Sequence, residues 1–256
     1  MTLFSANLGF LWSGLALPEA IRAAARAGFD AVECHWPYGE DRAAVKTALE
    51  ETGLPMLSVN TSRGDADAGE FGLAALPGEG ARARAAVDEA LGFARAVEAQ
   101  AVHVLAGRAR GAAARAAFLD TLGYACAAAG DLGVLIEPLN RHDAPGYFLE
   151  TCGEAAEIIE AVGAPNLRLM FDCYHVARTE GDVAERLEEF LPLIGHIQFA
   201  GVPERGRPDE GRLDYGPLFA RIAALGWVRP LGAEYRPEGP TEASLGWMAG
   251  LRGIST

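Results

Sequence analysis

Four side chains with hard oxygen donors stand out because each sits in or directly after an apolar run. Glu137 follows Val134-Leu135-Ile136, Asp172 follows Leu169-Met170-Phe171, Gln198 lies in the run from Ile194, and Glu234 follows Leu231-Gly232-Ala233. An ionised carboxyl in such a run is costly unless it is paired or bound to a cation. Successive members are 35, 26 and 36 positions apart. Each step is about the length of one strand-plus-helix unit, so consecutive strands would each donate one ligand. Three carboxylates gathered at one point repel one another unless a cation lies among them. Together with an amide oxygen they form an oxygen-rich set suited to one divalent ion, Mg2+ or Mn2+, with water or substrate completing the octahedron. A structural zinc site would call for Cys or His instead.

The elements that must position these residues are legible in the alternation of the chain. Eight short apolar runs begin at Leu3, Ala31, Pro55, Ala101, Gly133, Leu167, Ile194 and Pro230. Between them lie Ala-rich stretches in which apolar residues recur every three or four positions, the helical period. Pro18 suits a first helical turn, and Gly28, Gly53, Gly130 and Gly226 suit helix C-termini. Strict alternation predicts a parallel sheet covered by helices. Eight units in 256 residues predict an α/β protein consisting of a single (β/α)8 TIM barrel over residues 1–256. An open doubly wound sheet is the alternative. It would usually carry a Gly-rich phosphate loop after its first strand, and no G-x-G-x-x-G occurs there.

A barrel of this kind places its active site at the C-terminal ends of the strands. The polar residues ending the runs are Asn7, Glu33 and His35, Asn60, Arg108, Glu137 and Asn140, Asp172 and His175, Gln198, and Glu234. The stretch 61–80 after the third run, rich in Gly and Asp, is too long for a simple turn and is expected to be an active-site loop. His103 and His196 lie inside strands and are expected to be satisfied core histidines. Glu33 fits a pocket-facing group and a salt-bridge partner equally well. Trp12 and Tyr38 could wall the pocket, although aromatics near strand ends more often pack.

Composition excludes several partners. The net charge of −13 opposes nucleic acid and anionic membranes, both of which need a positive field. An anionic substrate would then need a local positive centre, supplied by a metal ion or a few arginines. Four cysteines without a C-x-x-C pair read as free thiols in a reducing cytoplasm. The apolar stretch from Leu3 to Leu17 lacks Lys or Arg before Arg22 and is too short to span a bilayer, so it reads as a strand and loop rather than a leader. The sequence is compatible with a homo-oligomer.

The runs IEPLN (from Ile136), FDCYH (from Phe171), GHIQFAGVPERGRPDEG (from Gly195) and GAEYRP (from Gly232) together resemble the hydroxypyruvate isomerase family of xylose isomerase-like barrels. FSANL (from Phe4) and the loop after the third run add to the likeness, which spans essentially the whole chain. The resemblance implies that Glu137, Asp172, Gln198 and Glu234 hold the metal. It also implies that Glu137 and Glu234 are the acid/base pair and that His175 and Arg205 contact substrate. Many relatives in the superfamily carry His where this chain has Gln198; Gln favours the hydroxypyruvate isomerase branch.

Moving the carbonyl of hydroxypyruvate from C2 to C3 gives 2-hydroxy-3-oxopropanoate through an enediolate. Two carboxylates can act as base and acid, and a divalent cation is a Lewis acid where the negative charge develops. The substrate is then a small anionic hydroxy-carbonyl compound. Its carboxylate suits the guanidinium fork of Arg205, with Arg108 as the second choice and Asn7 as a further contact. Three neighbouring chemistries use similar carboxylates: isomerisation of a four-carbon 2-oxo acid (2-oxo-tetronate), 3-epimerisation of a ketose, and dehydration of an inosose (a lyase reaction). A multi-zinc DNA endonuclease would need more histidine ligands and a basic face.

Overall fold

The computed structural model describes residues 1–253. Each apolar run contributes one strand. These are β1 (Phe4–Asn7), β2 (Ala31–Cys34), β3 (Met56–Asn60), β4 (Ala101–His103), β5 (Gly133–Ile136), β6 (Leu167–Asp172), β7 (Ile194–Phe199) and β8 (Leu231–Ala233). They close in chain order into one barrel, and every neighbouring pair is parallel. The helices are α1 (Leu17–Arg26), α2 (Arg42–Thr52), α3 (Gly80–Ala96), α4 (Gly111–Ala129), α5 (Cys152–Val162), α6 (Cys173–Thr179), α7 (Val183–Phe190), α8 (Tyr215–Ala224) and α9 (Trp247–Arg252). Pro18 opens α1, and Gly53 and Gly130 close α2 and α4. No helix among the described residues is long and apolar enough to cross a membrane.

The strands are shorter than the runs that predicted them, for a physical reason at β6. The Asp172 carboxylate accepts the Tyr174 backbone N–H at 2.8 Å and so caps α6. Cys173, Tyr174 and His175 are therefore helical rather than extended, because the cap ends the strand.

Side chains alternate between the two faces of each strand. On one parity lie Phe4, Val32, Val59, Val102, Val134, Leu169, Ile197 and Leu231, which join the main core against the helices. Burying a side chain of this size contributes about 1.5–3 kcal/mol. The aromatic seam of Phe4, Phe199, Phe219 and Trp247 belongs to this layer, with Phe4 and Trp247 ring centroids 5.0 Å apart. On the other parity lie Ser5, Asn7, Glu33, Ser58, His103, Asp172, His196 and Gln198, all buried and all polar. This is the barrel's inner face. A separate apolar plug of Ala101, Leu135 and Met170 fills part of it.

Candidate active site

Glu137 and Glu234 stand one residue beyond β5 and β8, while Asp172 ends β6 and Gln198 lies in β7. All four are at most 6% exposed. Asp172 is directly opposite Gln198 in the β6–β7 register. Ligand atoms of Glu137, Asp172 and His175 all lie within 4.8 Å of one another. Glu234 and Asp172 share one cation, since Arg205 Nη2 lies 2.7 Å from Glu234 Oε2 and 3.4 Å from Asp172 Oδ2. The residues singled out on consecutive strands therefore gather at one barrel mouth.

The hydrogen bonds of each side chain limit what it can do. Gln198 donates its amide to Glu33 Oε1 at 3.2 Å, because a carboxylate oxygen accepts. That leaves Gln198 Oε1 buried and without a donor. Glu33 is fixed in turn by His196 Nε2 at 2.5 Å, so both residues support the site from inside the barrel. Gly232 permits this packing: a Cβ there would lie 2.5 Å from Glu33 Oε1 and 2.9 Å from both Gln198 Cγ and His196 Nε2. Glu137 Oε1 is likewise buried without a partner. Two orphaned buried acceptors beside two further carboxylates fit a divalent cation, since unpaired acceptors in a dry site are otherwise costly.

His175 completes the geometric cluster but fits a different role. Its Nδ1 accepts the backbone N–H of Asn140 at 3.0 Å. Burial lowers its pKa well below the usual histidine value, so the ring is neutral and its proton resides on Nε2. That N–H is buried without a partner, 3.6 Å from Asp172 Oδ2 and 3.9 Å from Glu137 Oε1. A protonated nitrogen is a donor, not a ligand. Glu137, Asp172, Gln198 and Glu234 thus bring oxygen atoms to the site, and His175 offers a hydrogen bond beside them.

The carboxylates have opposite surroundings. Burial raises the Glu137 pKa well above the ordinary value, and the charges of Glu234 and Asp172 raise it further. Burial also raises Asp172, with Arg205 opposing. For Glu234 burial acts in the same upward sense, but Arg205 and His35 outweigh it and hold the carboxyl below the ordinary range. Three donors converge on it: Asn7 Nδ2 at 2.9 Å, His35 Nε2 at 2.9 Å and Arg205. Arg205 has a left-handed backbone (φ 57°), uncommon for a side chain of its size. Its guanidinium lies over the rings of Phe10 (5.0 Å) and Tyr174 (5.1 Å).

Some of these groups line a cavity of about 320 Å3, at the small end of ligand sites. Glu137, Glu234, His175 and Arg205 line it, and Phe10, Trp36 and Phe71 wall it. Two residues expected to touch substrate are placed otherwise. Arg108 is exposed, does not line the cavity, and donates to the Gly69 carbonyl of the long loop, because the β4–α4 segment turns outward to pair with that loop. Asn7 spends both ends of its amide, donating to Glu234 and accepting from Gly9 N at 2.9 Å. It positions Glu234. Trp12 also lies off the cavity, donating to Glu242 at 2.6 Å. His103, expected in the core, lines the cavity instead; its Nε2 lacks a partner and burial pushes its pKa down to about 3. Arg63, Arg236, Phe10 and Phe71 were not anticipated, because loop residues carry no periodicity.

Residues 21–251 match the family model described as xylose isomerase-like TIM barrel. A Cupriavidus necator protein named 2-oxo-tetronate isomerase is 44% identical, the match covering 97% of this chain and 98% of the relative. The Escherichia coli hydroxypyruvate isomerase is 35% identical over 97% of this chain and 98% of its own length. The chain belongs to the hydroxypyruvate isomerase family of xylose isomerase-like TIM barrels. It is an isomerase. A solved structure from Brucella melitensis, described as an AP endonuclease of family 2, superposes with a TM-score of 0.93 at 35% identity, covering 98% of this chain and 99% of that one. Family membership agrees with the barrel, the closed strand order and the isomerase class expected from the sequence.

Proposed function

We propose that the protein interconverts hydroxypyruvate and 2-hydroxy-3-oxopropanoate with the help of one divalent cation, Mg2+ or Mn2+, held by Glu137, Asp172, Gln198 and Glu234. The observation that carries this reading is one small cavity lined by Glu137 and Glu234, with Asp172 and Gln198 buried beside them and two acceptor oxygens left without donors. A bound cation supplies Lewis-acid polarisation of the hydroxy-carbonyl oxygens. The protein's own side chains do the rest. One glutamate takes a proton from the hydroxymethyl carbon C3, leaving an enediolate, the other delivers a proton to C2, and the C3 hydroxyl proton passes to the C2 oxygen as the new carbonyl forms at C3; the roles exchange in the reverse direction. The Nε2–H of His175 donates to an oxygen on which negative charge develops, and Arg205 keeps Glu234 ionised and aligned. Phe10, Trp36 and Phe71 exclude water.

A second reading, isomerisation of a four-carbon 2-oxo-tetronate by the same steps, is favoured by the 44% identity to the Cupriavidus necator relative. Both readings are tested by proton NMR of the metal-loaded enzyme in heavy water with each acid in turn. The expected result is an aldehyde product carrying deuterium at C2. No conversion of either acid would overturn both readings, and product without solvent deuterium would replace proton transfer by a hydride shift.

A further inference from the structure

A small 2-oxo acid ends in a carboxylate, and the sequence pointed to Arg205 to receive it. In the structure Arg205 is already engaged, its Nη2 shared by Glu234 and Asp172. A substrate carboxylate placed there would become a further negative charge among the acidic side chains of the cavity floor. We propose that Arg63, on the connection after β3, binds the substrate carboxylate; this rests on the 2-oxo acid reading above.

Arg63 lines the same cavity as Glu137 and Glu234. Its guanidinium lies over the Trp36 ring, 4.6 Å from the centroid, and it forms no ion pair with an acidic side chain among the described residues. Trp36 is itself held by its indole N–H, which donates to the Thr61 carbonyl at 3.1 Å. The platform beneath the guanidinium is therefore fixed, and the charge above it is uncommitted. Stacking on an aromatic face leaves the edge of a guanidinium free for a bidentate carboxylate. Topology supports the same orientation. In the closed strand order β3 lies half a barrel away from β7, whose following loop carries Arg205. A substrate whose reacting carbons face Glu137 and Glu234 can thus extend its carboxylate toward Arg63, away from Arg205. Arg236 also lines the cavity, but it shares the Phe10 ring with Arg205 and bonds through its backbone N–H to the Arg205 carbonyl at 2.8 Å, so it stands on the opposite wall.

The segment bearing Arg63 is docked. Gly72 forms an antiparallel bridge with Ala106, and Glu70 pairs with Arg82 of α3 at 2.7 Å. A Cβ at Gly72 would lie 2.6 Å from the Leu105 carbonyl oxygen, so glycine lets the two backbones meet. Arg63 is thereby presented from a built surface.

Steady-state kinetics of the metal-loaded wild type and Arg63→Met, on whichever acid the wild type converts, tests the proposal. Losing one charge-assisted, bidentate contact made equally in ground and transition states should raise KM about 10- to 100-fold, with kcat within about threefold. Arg63→Lys should recover part of the loss. An unchanged KM in Arg63→Met, a fall confined to kcat, or the KM effect appearing in Arg236→Met instead would overturn it. Calorimetric titration of both proteins with D-glycerate reads carboxylate binding without turnover. Weakened glycerate binding in Arg63→Met supports the assignment even if the wild type isomerises neither acid, and equal binding refutes it.

Discussion

Glu137 and Glu234 have the same side chain and lie in the same cavity, yet their surroundings are opposite. Glu234 has three donors, whereas Glu137 has none on its buried Oε1. Environments that push two carboxyls apart mark out acid and base roles. Glu137→Gln and Glu234→Gln are each expected to lower kcat by at least 10²–10⁴-fold, the usual worth of a general acid or base. Circular dichroism should show the barrel intact, and turnover near the wild-type rate in either variant would remove the assignment. Glu33 acts one step back. It selects the orientation of the Gln198 amide by accepting from its nitrogen. Glu33→Gln removes that selection, because a second amide can donate or accept. Affinity for Mn2+, read by calorimetry, should fall about 10- to 100-fold, as is typical when a supporting partner of a metal ligand is lost. Unchanged affinity would make the Glu33–His196 pair a purely structural feature of the barrel interior.

At the scale of elements, the connection 61–79 between β3 and α3 shows why length and composition were informative while contents were not. Its Gly and Asp content marked it as a loop at the catalytic end. Its attachment depends on backbone approaching backbone, which leaves no periodic signature. Gly107 has φ 96°, and a Cβ there would run into the Gly72 carbonyl. Gly107→Ala is therefore expected to undock the loop, at a cost of about 1–3 kcal/mol for a non-glycine residue in a sparsely populated conformation. Limited proteolysis should then cut between residues 61 and 79 in the variant and spare the wild type. Equal resistance would mean that the loop is held by Arg82 and Glu70 alone. Strand ends show the same pattern: the apolar run predicted β6, but the local cap made by Asp172 decided where it stopped.

For the whole molecule, the concentration of carboxylates inside the barrel couples stability to pH. Burial, with the neighbouring charges of Glu234 and Glu33 and against the opposing pull of Arg205, raises Asp172 from 3.8 to about 7. Between those values the folded, cation-free protein holds a proton that the unfolded chain has lost. Stability from this group is present below the unfolded value and is lost as pH rises through the folded one. The proposed divalent cation would reverse the balance, since it would bind the ionised carboxylates and have to displace protons at lower pH. The rise in Tm on adding Mn2+ to EDTA-treated protein should therefore grow between about pH 5.5 and about pH 8. A rise that is the same at both ends of this range would separate cation binding from Asp172.

The barrel, and the placing of Glu137, Asp172, Gln198 and Glu234 at the ends of neighbouring strands, were readable in one dimension because both rest on local rules. Apolar runs must be buried at a regular spacing, and a carboxyl ending such a run needs a compensating partner wherever the strands converge. The family resemblance drew on those same runs. What only the tertiary structure decided were matters of which atom faces which. Asn7 was turned to Glu234, and Arg108 was drawn out to Gly69. The proton of His175 was fixed on Nε2 by the Asn140 backbone, and Arg63 was brought into the cavity beside Trp36. Those choices follow from hydrogen-bond directions and backbone contacts between segments far apart in the chain, and no pattern along the sequence encodes them locally.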